Sequence, residues 1–166
     1  MILGMSLSTF TTVHVAISLI GIGTGLIVLF GLISGQLLHF WNGLFLLTTV
    51  LTSVTGFLFP FKGVTPGIKI GIVSLVMLAV AIAALYLFHL AGAGRTTFVI
   101  TAAISLYLNV FILIVQLFEK VPALHALAPT QSEPPFQIAQ VVVLVIFLVL
   151  TVIAARKFRS APSAVA

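Results

Sequence analysis

PGIKIGIVSLVMLAVAIAALYLFHLA, residues 66 to 91, decides the fold class. It carries one charge, Lys69, near its start and one histidine, His89, near its end; what lies between is apolar, aromatic or small. About 20 apolar residues in a helix cross the ~30 Å hydrocarbon layer of a bilayer, so this run is long enough to span one. Its ends agree with a helix. Thr65-Pro66 offers an N-cap followed by proline at the first helical position, and Gly92-Ala93-Gly94 offers a C-terminal stop.

Outward from this run, further apolar stretches occupy residues 12–34, 37–59, 96–118 and 137–156. The expectation is an all-α, single-domain integral membrane bundle of five transmembrane helices, with an extramembrane loop at 119–136. Composition agrees: the chain is 61% hydrophobic and 5% charged, against about 25% charged residues in soluble domains. The runs are continuously apolar and do not alternate with period two, which excludes a transmembrane β-barrel. The N-terminus lacks a basic region and its first apolar run is too long for a signal peptide. With no cysteine, disulfides, thiolate ligands and thiol nucleophiles are absent together.

The net charge of +5 is placed for a membrane and not for nucleic acid, because no basic patch carries interleaved aromatics. Arg156, Lys157 and Arg159 follow the last apolar run and read as a cytoplasmic stop. Five crossings then put the N-terminus outside, with Arg95 inside and Lys62, Lys69 and Lys120 outside. Both carboxylates, Glu119 and Glu133, fall within EKVPALHALAPTQSEPPFQ, residues 119 to 137, together with His125. Pro122, Pro129, Pro134 and Pro135 are expected to keep this stretch from becoming a helix. Non-helical backbone cannot face lipid, so the stretch belongs in the headgroup region or over the bundle. It is either a solvated connection or a lid holding His125, Gln131 and Glu133 over a site.

On a helical wheel, His14, Ser18, Gly21, Gly25 and Gly35 share one side of the first span. His39, Asn42, Thr49, Ser53 and Gly56 share one side of the second; Gly71, Ser74, Ala81 and His89 share one side of the third. Ser105, Asn109 and Gln116 line the fourth, and Gln137 and Gln140 begin the fifth. Polar and small faces should point into the bundle, where hydrogen-bond partners exist and backbones approach closely. His14, His39 and His89 are therefore expected to face inward. The same side chains can serve as helix-packing glue, as Gly21-x-x-x-Gly25 and Gly31-x-x-x-Gly35 commonly do.

Depth sorts the histidines into two pairs. His39 and His89 fall at the cytoplasmic level, and His14 and His125 at the outer level. Two imidazoles from facing helices can hold b-type haem iron, with Arg95 and the Arg156 to Arg159 cluster near the propionates of the inner pair. For the outer pair the cations would be Lys62 and Lys120, and zinc or copper with Glu133 as a third ligand is a further option. A quinone needs only one or two donors beside an apolar slot, for which His14, Asn109, Gln116 and Gln140 are candidates. Against these stands plain interfacial snorkelling of the rings.

The stretch Leu38-His39-Phe40-Trp41-Asn42-Gly43 and the spacing His89-(five residues)-Arg95 resemble a widespread family of small bacterial multi-helix membrane proteins with no agreed activity. In that family a Leu-His-x-Trp-x-Gly helix start and a His-x5-Arg turn recur, with a histidine early in the first span, here His14. The resemblance covers residues 12 to 110. The family's usual aromatic and basic residues between His and Arg are replaced by Leu-Ala-Gly-Ala-Gly, and residues 121 to 136 look like a narrower subgroup. The resemblance implies a bacterial inner-membrane, multi-pass protein and marks positions without implying a reaction.

Two functions remain open: a redox protein using haem or quinone, and a noncatalytic subunit or assembly factor of a larger membrane complex. Transport ranks below both, since no acid or base lies deep in a span. Hydrolysis ranks last, because Glu119, Glu133 and His125 share one loop without a paired nucleophile.

Overall fold

The structure is a computed structural model and describes residues 2–60, 63 and 65–160. Its helices are α1 (Leu7–Ile33), α2 (His39–Gly56), α3 (Pro66–Ile82), α4 (Gly94–Lys120), α5 (Pro122–Leu127) and α6 (Pro134–Ser160). α3 runs on into a π-helical turn, Ala83–Leu87. No strand occurs among the described residues. Local chemistry starts two of these helices. Ser6 Oγ accepts the Thr9 N–H at 3.1 Å, and Thr65 Oγ1 accepts the Ile68 N–H at 3.3 Å, with Pro66 opening α3.

Leu7–Ile33, Pro66–Leu87, Gly94–Lys120 and Pro134–Phe158 are each long and apolar enough to cross a membrane. Four helices thus meet the measure where the sequence suggested five. α2 has 18 residues, among them Asn42, Thr48, Thr49, Thr52, Ser53 and Thr55, and falls outside it.

Three expectations about local structure are corrected. The helix foreseen over 66–91 does not reach its end as a helix. Phe88 N–H donates to the Ala83 carbonyl at 3.0 Å, the wide spacing of a π turn. His89, Leu90 and Gly92 then take φ of +47°, +57° and +52°, turning the chain toward α4. Gly35, foreseen inside the first span, instead follows its end at φ +76°, the position that favours glycine after a helix. The prolines of 119–136 do not exclude helix either. Pro122 opens α5 and Pro134 with Pro135 opens α6, where a missing N–H costs nothing because the first-turn amides have no intrahelical partner. Lys62 and the Arg159 side chain lie outside the described residues.

The helices close into a ring in the order α1, α2, α3, α4, α6, with α1 also touching α4 across the middle. Short connections make sequential neighbours antiparallel, so one end of the bundle gathers His14, Thr55 and the α5 segment, and the other gathers His39, His89 and Arg95. Gly25 sets the closest approach. A Cβ there would stand 2.6 Å from Leu106 Cδ1 and 2.8 Å from the Phe45 ring, so α1, α2 and α4 meet at this depth only because Gly25 has none. Around it Leu32, Phe45, Leu78, Phe98, Val99 and Leu106 are buried. Outside, α6 alone exposes Ile138, Val141, Val142, Val145, Leu148 and Val149. A continuous apolar surface of that extent is foreign to a soluble monomer and suits a lipid environment.

Candidate functional site

Of the histidines, His14 is the one the bundle draws inward. It is half-buried on α1, and its Nδ1 lies 2.8 Å from Thr55 Oγ1 on α2. The Phe59 ring meets its ring edge-on at 5.1 Å, and Phe10 packs against Phe59 at 5.0 Å. Thr55 has a single hydroxyl proton, which its Oγ1 donates to the Leu51 carbonyl at an O–O distance of 2.7 Å. The hydrogen-bond network therefore assigns Nδ1 as donor and Nε2 as the bare nitrogen of a neutral ring. In that tautomer His14 has no free N–H for a quinone carbonyl.

The helical wheel turns His39 and His89 inward, but both rings are exposed. They do share one end of the bundle, at the start of α2 and just beyond α3, but no hydrogen bond or ring contact joins them. His39 is the first residue of α2, where the ring has no preceding turn to pack beside. His89 follows a π turn in a left-handed conformation, so the 100° rule that placed it beside Ser74 and Ala81 no longer applies. His125, on the short α5, is exposed as well. No three His, Asp or Glu side chains cluster as metal ligands among the described residues.

Deeper positions behave as the wheel foresaw. Asn42, Thr49, Ser53, Ser74, Ala81 and Ser105 are buried. Asn109 Nδ2 donates to Thr49 Oγ1 at 3.5 Å, joining α4 to α2 beside Gly21. Ser53 Oγ donates to Ser74 Oγ at 3.3 Å, joining α2 to α3. Gln116 turns instead along its own helix, where Nε2 donates to Glu119 Oε2 at 3.4 Å.

Two contacts to the α4 backbone were not foreseen. Gln140 Nε2 donates to the Phe111 carbonyl at 3.2 Å, and Gln131 Nε2 to the Val115 carbonyl at 3.0 Å. Helical carbonyls keep a second lone pair, so amides from α6 and the preceding turn can clamp successive turns of α4. The apolar run of α6 hides this in the sequence, since a glutamine near its start looks interfacial. Among the described residues three buried atoms stay without a hydrogen-bond partner, Asn42 Oδ1, Thr52 Oγ1 and Gln140 Oε1.

The segment before α6 is ordered by its own polar groups. Glu133 Oε1 accepts from the Thr130 hydroxyl at 2.9 Å and the Thr130 N–H at 3.2 Å; Oε2 accepts the Ser132 N–H at 3.1 Å. Partial desolvation alone would raise the Glu133 pKa, but these donors outweigh it and hold the carboxyl below its usual value. Ala128 is fully buried beneath the turn, and Phe118 meets Phe136 edge-on at 5.4 Å. Gln131 and Glu133 are thus committed to holding this cap together and down. At the opposite end, Arg95 lies over the Phe158 ring at 5.7 Å, beside an open groove of about 440 Å³ bounded by Val80, Ala84, Phe88, Gly94 and Thr97.

Compared with protein-family models, with curated proteins and with solved structures, the chain matches none.

Proposed function

We propose that this chain is a five-span, multi-pass protein of the bacterial inner membrane that serves as a noncatalytic subunit or assembly factor of a larger membrane complex. α2 supplies the fifth span. Its length of 18 residues gives about 27 Å of rise, close to the hydrocarbon thickness. Its low hydropathy comes from residues turned inward: Asn42, Thr48, Thr49 and Ser53 are buried, while Phe40, Leu47, Leu51 and Val54 are exposed. An odd number of crossings leaves the termini on opposite sides, and Arg95, Arg156 and Lys157 favour the cytoplasm for their end.

The observation that carries the noncatalytic reading is that the polar side chains within the spans that could serve a cofactor already have protein partners. His14 holds Thr55, Asn109 holds Thr49, Gln116 holds Glu119 and Gln140 holds the Phe111 carbonyl. The three of these that join different helices contribute about 0.6 kcal/mol each and fix which helix sits beside which. They build a rigid scaffold.

The alternative is a redox protein carrying b-type haem or quinone, held at the periphery by His39 and His89 near Arg95. A visible spectrum of the detergent-purified protein from haem-replete cells, oxidised and reduced, decides between them, with organic extraction for quinone. The scaffold reading expects no haem band, no stoichiometric quinone, and migration in mild detergent as a complex heavier than the chain alone. A haem band abolished by His39→Ala or His89→Ala would overturn it.

A further inference from the structure

The segment that joins α4 to α6 lies beside the bundle and not over its mouth. α5 packs chiefly on α4, and none of its residues is buried. The far side of the connection fixes its level. Gln131 Nε2 reaches the Val115 carbonyl at 3.0 Å, although α4 continues to Lys120. From Val115 to Lys120 a helix rises about 7.5 Å, so the chain between Lys120 and Gln131 comes back toward the middle of the bundle by roughly that distance. α4, with 27 residues, is about 40 Å long against ~30 Å of hydrocarbon. The excess puts its last turn, where Glu119 and Lys120 are exposed, among headgroups. α5 returns from there toward the acyl chains.

What returns is apolar. From Val121 to Pro129 the only polar side chain is His125. Ala123 and Leu127 stand one turn apart on one face of α5, and both are exposed. At 100° per residue His125 lies about 160° round the helix from either of them. The ring can therefore face water while the opposite face meets hydrocarbon, the arrangement of a helix lying in a membrane interface. The neighbouring surface is of the same kind: Leu117 on α4 and Ile138 on α6 are exposed, and both helices are long and apolar enough to cross a membrane. The free face of α5 continues that apolar belt.

We propose that α5 is an interfacial helix whose partner is the bilayer itself, with Ala123 and Leu127 set at the acyl boundary and His125 turned to the headgroups. The chain has no cysteine, so single cysteines can carry a nitroxide. Ala123→Cys, His125→Cys, Leu127→Cys, Ile138→Cys and Lys157→Cys are labelled and reconstituted in phosphatidylcholine vesicles. Power-saturation electron paramagnetic resonance then compares collisions with oxygen, which concentrates among acyl chains, and with a water-soluble nickel chelate. The oxygen-to-nickel ratio at Ala123→Cys and Leu127→Cys should be several-fold higher than at His125→Cys and should approach that at Ile138→Cys. Ratios there as low as at the exposed Lys157→Cys would overturn the proposal; a high ratio kept at Ile138→Cys would leave the spanning helices intact. Immobile labels shielded from both reagents would also overturn it, since a second copy and not lipid would then cover α5. A low ratio at Ile138→Cys would overturn the apolar belt and the interfacial helix together.

Discussion

His14 on α1 and Thr55 on α2 are joined by a 2.8 Å hydrogen bond, the bond that ties the start of one apolar helix to the end of the next. Because Thr55 spends its own proton on the Leu51 carbonyl, the imidazole is the donor. A double-mutant cycle of His14→Ala and Thr55→Ala, read by unfolding in mixed micelles, should give a coupling of about 0.6 kcal/mol and not above ~2 kcal/mol. Additive single effects would mean that the ring holds something other than Thr55.

Gly25 and Gly23 lie two residues apart on α1 and should respond oppositely. At Gly25 a methyl group would meet Leu106 and Phe45 below van der Waals distance, whereas at Gly23 it would meet nothing within 4 Å. Gly25→Ala is expected to destabilise the bundle by about 1 to 3 kcal/mol, the usual effect of overpacking. Gly23→Ala should be neutral or stabilising by up to about 1 kcal/mol through helix propensity. Thermal unfolding followed by circular dichroism compares them directly, and equal responses would contradict the packing described.

Gln140 buries an oxygen without a partner while its nitrogen donates to the Phe111 carbonyl. Gln140→Leu removes both the bond and the unpaired oxygen, so the two changes oppose each other and the net should stay within about 1 kcal/mol. A loss of about 3 kcal/mol or more in chemical unfolding would show that this oxygen has a partner in the membrane.

Glu133 makes the cap before α6 pH-sensitive. Its folded-state pKa is lowered, so its contribution to order is complete above the ordinary carboxylate pKa and is lost as pH falls through the lowered value. Hydrogen-exchange protection of residues 128–137, measured against the rate of an unstructured chain at the same pH, should therefore be high at neutral pH and fall below about pH 4. Glu133→Gln should show less protection at neutral pH and lose that acid-dependent step. A wild-type cap with the same protection at about pH 3 as at neutral pH would refute this.

How much was legible in advance follows from which residues were involved. The apolar run at 66–91 announced a spanning helix, and the wheel correctly turned Asn42, Thr49, Ser53, Ser74 and Ser105 inward. In mid-helix a fixed 100° step carries an angle along the chain, and lipid on one side enforces it. At the ends that regularity stops. His39 has no turn before it and His89 follows a π turn, so both rings were assigned inward and both are exposed.

The sequence by itself determined membrane residence, the helical class and the approximate limits of the helices, because hydrophobic length against bilayer thickness and proline or glycine punctuation are local quantities. Tertiary structure alone decided that α1 meets α4 across the ring at Gly25, that Gln131 and Gln140 clamp the α4 backbone, and that a groove opens beside Arg95. Those depend on which faces of distant helices meet and on where one helix widens by a residue, and neither is set by any single stretch of chain.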